Sequence, residues 1–193
     1  MLTSPVRPTP WALRSAAADG LTVRRAGADD VVALAVLKRR LERATYSHLA
    51  SDEALSVRLH RRATAWWLLG RIAEGELVLV AQRHDELLGL GAARVDSGAG
   101  APRVHVHSLY AEQREVLDAL TGALLDAADR LGIRTVTADC FVGDLPGAQR
   151  LRQLRLTEVA PHSDSPTFPG VGLSHWAGSL QTALVALDER TPP

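Results

Sequence analysis

Two histidines stand one residue apart in the run Arg103-Val-His-Val-His-Ser-Leu-Tyr110. The alternation of polar and apolar residues reads as a strand, and it puts His105 and His107 on one face. An unperturbed imidazole titrates near ~6.5, which suits it to take a proton from an amine through water. A plainer role also fits, with one histidine satisfying a core hydrogen bond and the other half exposed. Tyr110, at the end of the strand, offers a phenolic proton; a packed ring with its hydroxyl at the surface is the alternative. Glu112 fits a base or a solvated loop charge. The chain then bends and opens a helix toward Leu131, the layout of a strand–loop–helix that binds anions or cofactors. The glycines usual in such a loop are missing.

Other residues carry weaker chemical signals. Cys140 is the one cysteine. It sits in an apolar run without a base partner, so an inert buried thiol is expected. Asp139 is a polar residue on the same strand and could pair with an arginine. Arg150, Arg152 and Arg155 fit either a phosphate site or a solvated helix face. Trp66-Trp67 and His175-Trp176 could line an acceptor pocket; core and interface roles compete with that.

Composition narrows the classes. The chain has 193 residues, 46% hydrophobic and 23% charged, with formal net charge +0, which suits one globular domain. A neutral chain does not advertise nucleic acid or an acidic membrane as partner. A single cysteine allows no internal disulfide and gives no zinc spacing. No apolar run approaches the roughly 18–20 residues of a membrane span, and Met1 to Pro10 does not read as a signal peptide. A cytoplasmic protein is expected.

The periodicity orders the elements. Residues 1–20 read as a flexible lead-in, with Trp11 the exception that could dock on the domain or a partner subunit. A strand, Leu21 to Arg25, precedes a helix capped by Asp29 or Asp30, with Val31, Leu34, Leu37 and Leu41 on one face. Ser51 caps a second helix that carries Leu55, Leu59 and Trp66. Leu77 to Ala81 is a buried strand, and Leu87 to Val95 is its hairpin partner across His84-Asp85-Glu86. After the strand Arg103 to Tyr110 and its helix come a strand, Ile133 to Phe141, a short helix from Asp144 through Gln153, and a strand from Leu156 to Val159. Pro161 to Gly172 reads as a loop. His175 to Leu187 fits a strand or a helix equally. The order β-α-α-β-β-β-α-β-α-β implies an α/β fold with a mixed, partly parallel central sheet flanked by helices. One domain is expected over 21–187, with a tail at 188–193.

This order resembles the GNAT family of N-acetyltransferases over residues 21 to 160. Three stretches carry the likeness. Glu76 to Gly89 looks like the family's second and third strands. His107 through Gly132 looks like its fourth strand, pyrophosphate loop and third helix. Asp144 through Leu156 looks like the helix that ends in Gly-Phe. The resemblance implies acetyl-CoA or another acyl-CoA as co-substrate and a small-molecule amine as acceptor. Backbone N–H groups from Leu109 to Ala111 would polarise the thioester. Arg114, with the helix near Val116 and Leu117, would carry the pyrophosphate, and Asp144 would stand at the family's asparagine. Family members that acetylate arylalkylamines have a similar His-x-His, which makes His105 or His107 the expected base. A homodimer is a candidate assembly.

The departures are specific. Val116, Ala119 and Thr121 fall on the marked positions of the loop Arg/Gln-x-x-Gly-x-Gly/Ala, where a Cβ obstructs close approach to phosphate. Leu151 falls on the family's tyrosine acid, and Arg155-Leu156 replaces Gly-Phe. Two other readings therefore stand beside direct acyl transfer from acyl-CoA. One is a non-catalytic binding or oligomerisation module with a decayed groove. The other is an acyltransferase that takes its donor from a carrier protein.

Overall fold

The computed structural model describes residues 17–18, 20–98, 100–165, 168 and 170–190. Trp11 and nearly all of the expected lead-in lie outside the described residues. In chain order the elements are β1 (Ala17–Ala18), β2 (Leu21–Arg25), α1 (Val31–Tyr46), α2 (Asp52–Arg62), α3 (Ala65–Ala73), β3 (Leu77–Arg83), β4 (Glu86–Asp96), β5 (Arg103–Ala111), α4 (Arg114–Arg130), β6 (Thr135–Phe141), α5 (Leu145–Gln153), β7 (Thr157–Asp164), β8 (Gly172–Ser179) and α6 (Leu180–Asp188). Among the described residues eight strands form one sheet in the order β1-β2-β3-β4-β5-β6-β8-β7. Of these neighbours β5 and β6 pair in parallel and the others antiparallel.

Each face of the sheet buries its own core. Leu77, Leu79 and Ala81 pack with Leu120, Leu124 and Leu125 of α4 and with Leu180 and Ala183 of α6. Val78 and Val80 pack with Leu34, Leu37 and Leu41 of α1, Leu55 and Leu59 of α2 and Leu68 of α3. The run Leu77-Val-Leu-Val-Ala is apolar throughout because β3 is covered on both faces. The four α1 residues expected on one helix face are all buried.

Local chemistry explains where the elements differ from the sequence pattern. The Ser51 hydroxyl caps α2, accepting from the Ala54 N–H. That helix stops at Arg62, short of Trp66, because the Thr64 hydroxyl accepts from the Trp67 N–H and starts α3. Trp66 consequently points to solvent, 83% exposed. The segment 175–187 is both strand and helix, and the Ser179 hydroxyl caps the change. Strand β7 runs on past Val159 to Asp164 with Pro161 inside it. As an edge strand with register shifts against β8, it tolerates a residue without an N–H. Arg155, where Gly-Phe was expected, adopts the left-handed φ of 59° that closes helices, usually at glycine.

Gly89 controls how closely β5 lies on β4. A Cβ there would sit 2.8 Å from the Tyr110 carbonyl oxygen and 3.0 Å from the Ala111 Cβ. Neither the carbonyl oxygen nor the Cβ can move without displacing the end of β5. Gly89→Ala is therefore expected to cost about 1–3 kcal/mol through overpacking. A urea titration with an unchanged midpoint would show that the strand end is slack.

Candidate active site

The parallel pair β5/β6 is joined only from Arg103↔Thr135 to Val106↔Ala138. Beyond that point β5 continues to Ala111 and β6 to Phe141 without pairing to each other. The parting opens a cleft of about 470 Å³ lined by Tyr46, Leu109, Tyr110, Ala111, Arg114, Leu117, Asp144, Gly147, Arg150 and Arg190. A recess of about 110 Å³ shares Tyr46, Leu109, Tyr110, Asp144, Gly147 and Arg150 with the cleft and reaches His107, Ser108 and Asp139.

A bulge sets what faces the recess. Ala92 pairs with Ser108 and Ala93 with Val106, so His107 is the extra residue in β5. Two successive residues at a bulge share a face, and the alternation changes phase. Before the bulge Val104 and Val106 pack on the α4 side; after it, Leu109 and Ala111 do. Tyr110 thereby joins the α1–α3 side, the side that carries His105 and His107. Simple alternation would have put Tyr110 opposite the histidines.

His107 is held at both ring nitrogens. Nε2 lies 2.8 Å from Glu76 Oε2 and Nδ1 lies 3.2 Å from Ser108 Oγ. Trp67 meets the ring edge-on at 6.3 Å. Glu76 is 5% exposed and also accepts from Arg71 at 3.0 Å. Burial pushes the Glu76 carboxyl up, but the bond from His107 and the charges of His107 and Arg71 outweigh it and hold the group below the usual carboxylate range. An ionised carboxylate only accepts. Nε2 of His107 therefore carries a proton, and in the neutral imidazole Nδ1 would turn a lone pair toward Ser108. His105 stacks on His107 with centroids 6.4 Å apart. Its Nδ1 meets the Thr137 hydroxyl at 3.1 Å and its Nε2 stands 3.5 Å from Asp139. Burial pushes His105 below its ordinary value, against the opposing charge of Asp139.

Tyr110, read in the sequence as a proton donor, has its hydroxyl committed elsewhere. It donates to Glu42 Oε1 at 2.9 Å and lies 3.3 Å from the Tyr46 hydroxyl. The same Glu42 oxygen receives Lys38 Nζ at 2.7 Å and Arg58 Nη2 at 3.0 Å. Burial raises the Tyr110 phenol well above its ordinary value, and the charge of Glu42 adds to that. Lys38 and Glu42 are 1% and 0% exposed, so one carboxylate balances two cations inside the protein. Lys38 also lies over the rings of Trp67 and Tyr110, at 5.2 and 4.7 Å.

The residues expected to hold a cofactor divide. Leu109, Ala111, Arg114, Leu117 and Asp144 line the cleft; the Asp144 carboxylate caps α5 by accepting from the Gly147 N–H. Val116, Ala119 and Thr121 do not. α4 begins at Arg114, so all three positions of the expected loop are wound into helix. Without glycine these residues favour helical backbone, and the N–H groups of Ala119 and Thr121, past the first turn, go into the helix ladder instead of a nest. The Val116 side chain is fully buried in the core, and the Thr121 hydroxyl donates to the Leu117 carbonyl.

Arg150, which fitted a phosphate site or a solvated helix face in the sequence, lines the cleft, and so does Arg190, which the sequence did not single out. Arg150 donates to Asp118 and Thr121 at 2.8 and 2.9 Å, and Arg190 lies 4.0 Å from Asp118. Arg150 Nε and Arg190 Nη1 are buried without a hydrogen-bond partner among the described residues. The other two residues of the arginine run go elsewhere: Arg152 covers Trp176 and Arg155 pairs with Glu189. Trp176 is core, and Glu112 pairs with Arg40 at 3.3 Å. Burial pushes the Cys140 thiol up to about 12, in keeping with an inert residue. Among the described residues no three His, Cys, Asp or Glu side chains are placed to hold a metal ion, and no helix is long and apolar enough to cross a membrane.

Glu42 gives a stability test. Burial pushes its carboxyl up, but Lys38 and Arg58 outweigh burial and hold it below its ordinary 4.5. A depressed folded value means stabilisation that is present above pH 4.5 and lost as acid carries the pH down through the folded value. Glu42→Ala is expected to cost about 3–5 kcal/mol, because it leaves two buried cations without their anion. In urea titrations, Glu42→Gln should show a shallower loss of stability below pH 4.5 than the native chain.

No protein-family model matches the chain, and no curated protein matches it. Solved structures do. PaiA N-acetyltransferase from Thermoplasma acidophilum, in complex with coenzyme A, superposes with a TM-score of 0.69 at 13% identity, over 80% of this chain and 97% of that one. A GCN5-related N-acetyltransferase from Rhodopseudomonas palustris gives 0.64 at 16%, over 87% and 98%. RimJ from Mycobacterium smegmatis, in complex with CoA-disulfide, gives 0.62 at 15%, over 88% of each chain. With its mixed sheet, its parted parallel strands and these neighbours, the chain has the fold of the GNAT N-acetyltransferases.

Proposed function

We propose that the chain is a divergent GNAT enzyme that transfers an acyl group, acetyl in the simplest case, from acyl-CoA to the nitrogen of a small amine. The observation that carries this reading is the cleft between the parted ends of β5 and β6, with His107, backed by Glu76, and Ser108 in its recess and Arg114, Arg150 and Arg190 along its wall. The structural neighbours solved with coenzyme A or acetyl-CoA support the co-substrate.

The chain's residues fit such a donor. Arg114, Arg150 and Arg190 line the cleft around Asp118. Three guanidiniums around one carboxylate leave a positive excess that favours an anion. The first-turn N–H groups of α4 have no partners within the helix and add a favourable dipole. Where β6 departs, the side of β5 it leaves exposes alternate backbone N–H groups between His107 and Ala111. These would stabilise the oxyanion of a thioester under attack.

His107 is the base in this scheme. The Glu76 carboxylate fixes its Nε2–H and steadies the imidazolium that forms. The amine's proton passes to Nδ1, directly or through the Ser108 hydroxyl. Thiolate leaves readily, so Leu151 in place of a tyrosine acid is tolerable. Tyr110, bound to Glu42, shapes the wall.

One observation favours a second reading. With α4 wound through the loop, the grip on a pyrophosphate is made of side chains alone beyond the first helical turn. A carrier-protein donor, whose arm has one phosphodiester, asks less of that grip.

Two measurements separate these readings. Calorimetry should give a micromolar dissociation constant for acetyl-CoA, weakened about tenfold or more in Arg150→Ala/Arg190→Ala and by added salt. No binding at millimolar acetyl-CoA would discard that donor and leave the carrier protein. With a turned-over acceptor in hand, His107→Ala should lower kcat by about 10²–10⁴ while acetyl-CoA still binds. An unchanged kcat would remove His107 as the base.

A further inference from the structure

On β6, β7 and β8 three side chains form a second constellation, of which Asp139 also lines the recess. Asp139 and His175 are cross-strand partners, and Asp139 Oδ1 lies 2.7 Å from His175 Nδ1. His175 Nε2 lies 3.1 Å from Ser163 Oγ. The carboxylate can only accept, so it fixes the proton on Nδ1 and leaves the Nε2 lone pair facing the serine hydroxyl. Nucleophile to base and base to orienting acid are both within hydrogen-bond reach, the arrangement that activates a serine.

The surroundings agree with access to solvent. The His175 and Asp139 side chains are 38% and 31% exposed, and Ser163 is exposed. Ser163 follows a register shift in β7, so its strand departs from the regular ladder just before it. β7 is the edge of the sheet, and an edge strand presents backbone N–H groups without ladder partners, the kind of donor that an oxyanion needs. Neither Ser163 nor His175 lines the cleft or its recess. Asp139 also stands 3.5 Å from His105 Nε2, so one carboxylate serves two imidazoles.

We propose that Ser163, His175 and Asp139 form an esterase site for small acyl groups on good leaving alcohols. Ser163 Oγ bonds to the ester carbonyl carbon while its proton passes to His175 Nε2. The tetrahedral adduct collapses, the bond to the alcohol breaks, and the alcohol leaves with the proton from His175. Water then attacks the acyl-serine, gives its proton to the same imidazole, and releases the carboxylic acid and free Ser163. An open sheet edge sets no limit on the leaving group and gives no grip on a long acyl chain, so a small aryl acetate is the fitting substrate. The proposal does not depend on the acyl-transfer reading.

The test treats the full chain with a fluorophosphonate probe and maps the adduct by mass spectrometry. Hydrolysis of p-nitrophenyl acetate is followed in parallel. The adduct should fall on Ser163, be absent from Ser163→Ala, and form at least about tenfold more slowly in His175→Gln. Hydrolysis should fall by a similar factor in both variants, with melting temperatures near the native value because both side chains are at the surface. Absence of an adduct at Ser163, labelling of Ser163 that His175→Gln does not slow, or hydrolysis unchanged in Ser163→Ala would each overturn the proposal.

Discussion

The site depends on a parallel strand pair that lets go halfway. β5 and β6 hold each other over four residue pairs and then separate. A sheet ordinarily satisfies the backbone on both sides of an interior strand. Here one side of β5 is released while β4 still holds the other out to Ala111. The release makes the cleft, and Gly89 lets β4 lie close enough to hold the released strand end. Everything placed at the cleft is referred to that one fixed strand end: Tyr110 and Ala111 on it, Arg114 just after it, and α5 across from it.

The bulge at His107 and the charges under α1 act together. The extra residue brings Tyr110 to the same face as the histidines, and that face is where Glu42 waits with Lys38 and Arg58. An ion cluster so deep costs a great deal to desolvate and returns it only when the geometry is good. Its effect is specific: α1 cannot rotate or slide against β5 without exposing a cation to apolar surroundings. The Tyr46–Tyr110 contact at the cleft wall inherits that precision.

Much of the fold was readable because it rests on periodicity and caps. The apolar run of β3, the α1 stripe, Ser51 and the Asp144 cap each follow from local chemistry. The break between α2 and α3 was missed because Trp66 happens to continue the α2 spacing, while Thr64, the cap that stops it, looks like any other threonine. The cleft itself was legible as a strand leading into a helix, and His107, Leu109, Ala111 and Arg114 fall there. The partners that tune it were not. Glu76 lies 31 residues from His107 in sequence, and Arg190 comes from the far end of the chain. Lys38 and Glu42 do sit four apart on one helix, a spacing that advertises an ion pair, but nothing local says that the pair is buried. The bulge also left no mark, since alternation looks regular through residue 107.

The winding of α4 through the segment where glycines were expected changes how this part of the molecule can alter over generations. A nest of backbone amides is indivisible: it needs several residues in rare conformations at once, and losing one spoils the rest. At this end of the cleft, beyond the first turn of α4, the available donors are the guanidiniums of Arg114, Arg150 and Arg190, carried on α4, on α5 and just past α6. Each can be exchanged by a single substitution without disturbing any backbone. Sequence descent can therefore lengthen, weaken or re-aim this anion-facing wall in single steps, while the scaffold beneath it stays the same.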